Sequence, residues 1–211
     1  MISTQLALLA VSVVCTPQSG AAVDTIGAGT NREALYRQGI TFDVFLDHAV
    51  KRRQMWLDNY AKGRVPEALL TRARAIPGRW RLLVVAVDSC SDSANTIPYL
   101  AHLVAAADNL DMRIIDSDLG RPVMEAHRTP DGRAATPTVV LLDDNYDEAG
   151  CFIERPAELQ AWALENRNKL DGSEFLQQKS AWYDKDLGYD TMSEVIALME
   201  AAARGTNNCE S

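Results

Sequence analysis

The feature that most constrains this chain is a cysteine placed where a buried strand is expected to give way to a helix. The apolar run Leu82 to Val87 is followed closely by Cys90-Ser91-Asp92-Ser93, which opens a pattern with helical spacing. The first turn of a helix carries unpaired backbone N–H groups and the positive end of the helix dipole, and both favour a thiolate. Cys90 is therefore a candidate nucleophile.

A second constraint is the proline that precedes a later apolar run. Thr136-Pro137 stands directly before the run Thr138 to Leu142. A loop that ends in a proline at the start of a strand is a place where proteins use a cis peptide bond. The backbone beside such a bond can pair with an extended substrate. We predict a cis bond here and substrate binding by Thr136 and Pro137; the alternative is an ordinary trans proline.

Together these two places resemble the thioredoxin superfamily. A thioredoxin has a second cysteine three residues after the first and a proline eight residues after it; this chain has Ser93 and Pro98 there. The stretch 79–162 is similar to the thioredoxin core. Cys-x-Asp-x together with Glu154-Arg155-Pro156 resembles a bacterial thioredoxin-like group with a Cys-Gly-Asp-Cys or Cys-Gly-Asp-Ser site.

Two departures from the family pattern decide the expected mechanism. Ser93 replaces the resolving cysteine, and Val84 stands where thioredoxins carry a buried acid. A serine cannot release a mixed disulfide, although its hydroxyl can donate a hydrogen bond to the Cys90 thiolate. The resemblance therefore implies a monothiol thiol-disulfide oxidoreductase. Alternatives are a non-catalytic module that binds peptides or proteins in the same groove, and a glutathione-linked thiol enzyme.

Three further side chains are candidates for supporting roles. Asp92 is either a proton acceptor or a cap of the helix that follows Cys90. Arg155 would return toward the site, where it could favour the thiolate or hold a substrate carboxylate, or else pair with Glu154. His127 is a proton shuttle or a histidine that contacts carbonyls at a helix end.

The remaining cysteines and the histidines give no metal signature. Cys151 falls in a predicted strand and is expected to be a small buried residue, whereas Cys209 lies in the tail and could resolve Cys90. The histidines are far apart, and there is no CxxC or HExxH motif. No glycine-rich phosphate loop follows a strand. We therefore expect neither a metal nor another cofactor.

The predicted fold class is α/β, a thioredoxin-like three-layer α/β/α arrangement with a mixed central sheet and extra N-terminal and C-terminal helices. The short turn 143–148 implies that the last two strands form an antiparallel hairpin. Strands are predicted at 82–87, 112–115, 138–142 and 150–153, and core helices at 93–107, 121–127 and 157–166. Outside the core we expect one helical pattern over 42–60, a helix after Pro66, one near 174–182, and one opened by a capping box at Thr191.

Domain organisation follows from composition and pattern. Residues 1–22 read as a signal peptide, 23–40 as a linker, 41–203 as a single domain and 204–211 as a flexible tail. An exported protein would be periplasmic or secreted; no Lys or Arg precedes the apolar run, so a cytoplasmic location is the alternative. The apolar run is too short for stable membrane insertion.

Charge limits the possible partners. The 211 residues have a formal net charge of -8, and no basic run is longer than Lys51-Arg52-Arg53. We therefore expect no nucleic-acid partner. The expected partners are thiols and disulfides of proteins or small molecules, and the oligomeric state stays open.

Overall fold

A four-stranded mixed sheet lies at the centre of the computed structural model, which describes residues 31–209. The order of the strands is β2-β1-β3-β4. None of the helices in this range is long and apolar enough to cross a membrane. The elements are α1 Arg32–Gln38, α2 Phe42–His48, α3 Arg53–Lys62, α4 Glu67–Ala75, β1 Trp80–Val85, α5 Ser91–Ala106, β2 Leu110–Ile115, α6 Arg121–Ala126, β3 Thr138–Leu142, β4 Glu148–Ile153, α7 Ala157–Asn166, α8 Gly172–Asp186 and α9 Tyr189–Ala203.

The pairing of the strands explains their sequence patterns. β1 runs parallel to β2 and antiparallel to β3, and β3 and β4 form the predicted antiparallel hairpin. Leu82 to Val85 are fully buried, as expected for a central strand with both faces covered. This arrangement confirms the predicted α/β class and the thioredoxin-like architecture with added helices.

Alternate residues of β1 enter two separate cores. Leu82 and Val84 pack on one face, in the larger cluster that contains Ile97 of α5 and Val195 of α9. Leu83 and Val85 pack on the other face, in the cluster that contains residues of α1 and α6. Because alternate side chains of the strand point to opposite faces of the sheet, a helical layer packs on each face.

The N-terminal expectations need correction. Residues 32–38 of the predicted linker form α1, and Ile40 makes an isolated β-bridge with Ile114 of β2. The single helical pattern over 42–60 is two helices, because Arg52 adopts a left-handed backbone conformation with φ of 49° and α3 begins after it. The predicted signal peptide lies outside the described residues.

The expected capping box at Thr191 is also wrong. Helix α9 begins at Tyr189, after Gly188, and the Thr191 hydroxyl is buried with no hydrogen-bond partner among the described residues. Gly188 has φ of 77°, and a Cβ atom at this position would lie 2.1 Å from the Tyr99 ring. Only glycine fits both this backbone conformation and this contact.

The tail up to residue 209 is attached to the edge of the sheet rather than free. Asn208 makes a parallel bridge with Gly150 of β4, and the Asn207 side chain donates to the Glu148 carbonyl. Cys209 is joined by a disulfide to Cys151. The expectations of an unpaired Cys151 and of a flexible tail were therefore wrong for the described residues.

We predict that Cys209→Ser lowers the free energy of unfolding by about 2 to 4 kcal/mol, because the disulfide closes a loop with a sequence separation of 58. Urea unfolding of the oxidised proteins measures the change. Cys90→Ser is the matched control, since it replaces a cysteine that closes no loop. Equal losses of stability in the two variants would contradict the stabilising role of this disulfide.

Candidate functional site

Cys90 caps the N-terminus of α5. Its sulfur accepts a hydrogen bond from the backbone N–H of Ser93, with 3.4 Å between the two atoms. On its other side the thiol donates to the carbonyl oxygen of Thr136, at 3.0 Å. The residue is partly exposed and is the free cysteine of the described chain. The thiol is therefore placed at a helix start, with a backbone N–H able to stabilise its negative form.

The loop that faces Cys90 carries a cis peptide bond between Thr136 and Pro137. The Pro137 carbonyl accepts from the Glu154 backbone N–H at 2.7 Å, and the Thr138 hydroxyl donates to the Ala135 carbonyl at 2.8 Å. Thr138 is aligned with Val85, the last residue of β1. The sheet thus brings together two segments, 90 and 136–137, that are distant in sequence.

Ser93 contributes through its backbone rather than its side chain. The side chain is fully buried, and its hydroxyl has no hydrogen-bond partner among the described residues. Among the described residues, the Ser93 hydroxyl therefore does not make the expected hydrogen bond to the Cys90 sulfur. The backbone N–H of Ser93 donates to that sulfur instead. A buried hydroxyl without a hydrogen-bond partner lowers the stability of the folded state, so Ser93 is a suitable position for substitution.

Asp92 is the centre of a buried charged cluster. Its carboxylate accepts from the Lys179 ammonium at 2.9 and 3.0 Å and from the Tyr183 hydroxyl at 2.8 Å. The Arg155 guanidinium lies 3.4 Å away. These bonds replace the expected role of Asp92 as a helix cap, which Cys90 fills instead. The Asp92 carboxylate thus ties α5 to α8 and to the segment after β4.

Arg155 lies between two carboxylates. It pairs with Asp92 and, at 2.5 Å, with Glu154, so both the return toward the site and the pairing with Glu154 occur. Glu154 in turn pairs with Arg133 at 2.9 Å, and Arg133 pairs with Asp131 at 2.6 Å. Hydrogen bonds from neighbouring side chains hold the pKa of Asp131 far below its usual value, and the largest effect comes from Arg133.

The ion pairs form a continuous alternating chain of charges. Four cations alternate with three carboxylates in the order Lys179, Asp92, Arg155, Glu154, Arg133, Asp131 and Arg167. The excess charge is positive. Lys179 also donates to the hydroxyl of Ser91, the residue next to Cys90, at 3.2 Å.

Tyr183 remains a hydrogen-bond donor in this cluster. Burial, and next the negative charge of Asp92, raise the pKa of the Tyr183 phenol well above its usual value. The Tyr183 hydroxyl therefore stays neutral at neutral pH and donates to Asp92.

His127 is not part of this constellation. Its ring contacts Glu148 and Cys151. It therefore contacts neither the Cys90 thiol, as a proton shuttle would, nor the helix-end carbonyls of the alternative expectation. Lys179 and Tyr183 were missed by the sequence reasoning. They lie on α8, which was predicted over 174–182 and in the structure extends far enough to include Tyr183. Nothing in the local pattern shows which residues of this helix face Asp92.

Comparison with known proteins agrees with this arrangement. A family model described as Thioredoxin matches residues 39–171, which is more than half of the chain. The chain belongs to the thioredoxin family. The match covers Cys90, the Thr136-Pro137 loop and Arg155, whereas Lys179 and Tyr183 lie beyond its end. No curated protein matches the chain.

Two solved structures share the fold. A protein of unknown function from Pseudomonas aeruginosa is 24% identical, with a TM-score of 0.66, and the alignment covers 82% of this chain and 99% of that one. An HIV epitope scaffold is also 24% identical, with a TM-score of 0.63 over 80% of this chain and 97% of the scaffold. At this identity the likeness concerns the fold alone.

We predict that Lys179→Met destabilises the protein by about 3 kcal/mol, because it leaves the buried Asp92 carboxylate without its ammonium partner. Thermal and urea unfolding measure the change. Lys185→Met, an exposed position of the same helix, is the control and is expected to have almost no effect. Adding Asp92→Asn to Lys179→Met should restore part of the loss; no rescue would mean that Lys179 acts through its packing.

Proposed function

We propose that this thioredoxin-family protein is a monothiol thiol-disulfide oxidoreductase that acts through Cys90. The observation that carries the proposal is the position of the Cys90 sulfur. It lies between the N–H of Ser93 and the carbonyl of Thr136, partly exposed at a helix start. In such a position a backbone N–H can stabilise the thiolate, and the partly exposed sulfur is open to attack a disulfide.

The chemistry proceeds in two exchanges. The Cys90 thiolate attacks one sulfur of a substrate disulfide, forms a mixed disulfide with it, and releases the other sulfur as a thiolate. A second thiolate then attacks the mixed disulfide and restores Cys90. Cys209 is bonded to Cys151, which favours an external thiol as the resolving group. A small-molecule thiol such as glutathione satisfies this requirement.

Asp92 and Arg155 support the site rather than react in it. The Asp92 carboxylate accepts bonds from three donors, and Arg155 is held by Asp92 and Glu154. An arginine so engaged offers little to a substrate carboxylate, and the oxygens of the Asp92 carboxylate are already occupied by three donor groups. We assign them positioning roles, and assign substrate binding to the backbone at Thr136 and Pro137.

The second candidate is a thioredoxin-like module that binds extended peptides without catalysis. The buried, apolar Val84 favours it, because a thioredoxin carries an acid there that serves the redox pair. The pH dependence of Cys90 alkylation separates the two candidates. A thiol that titrates near 8.5, the value of a free cysteine, favours the binding module.

We also propose a periplasmic or secreted location. The disulfide between Cys151 and Cys209 supports it, because such bonds persist mainly in oxidising compartments. The apolar run near the N-terminus of the sequence agrees with export.

We predict that Cys90→Ser abolishes disulfide exchange while the protein stays folded, because serine caps a helix well but is a poor nucleophile under these conditions. Turnover of a model disulfide with glutathione as the reductant measures activity, and circular dichroism checks the fold. Cys209→Ser serves as the control and should keep the activity. Turnover by Cys90→Ser equal to that of the parent would exclude the proposed mechanism.

Ser93→Cys should raise disulfide reductase activity at least tenfold with a dithiol as reductant. The resolving step then becomes intramolecular, with an effective concentration far above that of a free thiol. Ser91→Cys is the matched control, since it adds a thiol at the wrong spacing from Cys90. If Ser93→Cys forms a disulfide with Cys90 but gains no activity, resolution does not limit the rate.

A further inference from the structure

A second group of sulfur and nitrogen ligands lies where the tail meets the hairpin. Cys151 belongs to β4, His127 ends α6, and Cys209 lies at the end of the described tail. The ligand atoms of these three residues all lie within 4.8 Å of one another. This cluster takes no part in the chemistry proposed for Cys90.

The buried His127 ring is oriented as a metal ligand would be. Its Nε2 lies 3.2 Å from the Glu148 carboxylate, and its Nδ1 lies 3.5 Å from the Cys151 sulfur. A carboxylate beside Nε2 favours a proton on that nitrogen, which leaves the Nδ1 lone pair directed at Cys151. Metal-bound histidines have this same pattern of a second nitrogen donating to a carboxylate.

We propose that the reduced protein binds Zn²⁺ through the sulfurs of Cys151 and Cys209 and Nδ1 of His127. Tetrahedral zinc with bonds of about 2.3 Å to sulfur and about 2.0 Å to nitrogen places a sulfur and a nitrogen ligand about 3.5 Å apart. The Nδ1 to Cys151 distance of 3.5 Å already matches this value. The two sulfurs, now bonded to each other, would move to about 3.8 Å apart.

Zinc binding requires prior reduction of the disulfide. A dithiol supplies two electrons: its own sulfurs become a disulfide, and Cys151 and Cys209 become thiols. The two thiols then release their protons to solvent as they bind the metal. The disulfide and the bound zinc therefore exclude each other, and the redox state of the surroundings determines which of them forms.

The fourth coordination position adjoins a cavity. The cavity has a volume of about 570 Å³ and is lined by both cysteines together with Phe152 and Gln160. Gln160 is buried, and neither atom of its carboxamide has a hydrogen-bond partner among the described residues. A water molecule on the metal would therefore find room, and Gln160 lines the same cavity. Two cysteines, one histidine and an open position form a ligand set that zinc enzymes use.

The test uses the 211-residue chain with Cys15→Ser and Cys90→Ser, so that Cys151 and Cys209 are its only cysteines. The protein is reduced with dithiothreitol, freed of it under argon, and titrated with Zn²⁺ in competition with a chromophoric chelator. We expect about one zinc per reduced chain, and at least a hundredfold weaker binding by the oxidised chain. Titration with Co²⁺ should produce the absorption bands of tetrahedral thiolate coordination.

Three variants and one control define the ligands. His127→Ala and Cys209→Ser should each weaken binding at least a hundredfold, and Glu148→Gln by about 10- to 100-fold. His48→Ala, which changes an exposed histidine elsewhere, should have no effect.

Circular dichroism of each reduced chain shows whether it stays folded. Three results would overturn the proposal: no uptake of zinc by the folded reduced chain, equal affinity in His127→Ala and His48→Ala, or zinc binding only by an unfolded chain.

Discussion

The buried carboxylate of Asp92 is the interaction on which the rest of the site depends. A charge in this position costs several kcal/mol unless partners surround it, and here Lys179, Tyr183 and Arg155 all do so. Two of these partners come from α8, which lies beyond the part of the chain matched by the family model. Helix α8 is therefore needed to stabilise the first turn of α5, which Cys90 caps.

The same cluster resolves an electrostatic difficulty in the motif. A carboxylate two residues from Cys90 would oppose a thiolate there if the carboxylate were unpaired. Lys179 and Arg155 neutralise Asp92, and the alternating chain that continues to Arg167 carries an excess of positive charge. Asp92 therefore does not replace the buried acid that thioredoxins carry at the position of Val84. It links helices instead.

The cysteines of the described chain fall into two chemically distinct settings. Cys90 is free and caps a helix, whereas Cys151 and Cys209 are joined next to a histidine and a carboxylate. Helix-start sulfur suits nucleophilic exchange, and paired sulfurs beside a histidine suit either a structural link or a metal. A reductant can therefore act on the bond between Cys151 and Cys209, whereas Cys90 is already a thiol.

Local patterns in the sequence determined the core of this fold and the placement of Cys90 at a helix start. Strand β3 and helix α7 have their predicted bounds, the hairpin follows from a short turn, and Cys90 begins a helix, because each depends on residues adjacent in the chain. Only the tertiary structure decided the partners of Asp92 and the bond between Cys151 and Cys209. These contacts join residues that are 58 or more positions apart, and the packing of helices on the sheet, which no local period encodes, brings them together.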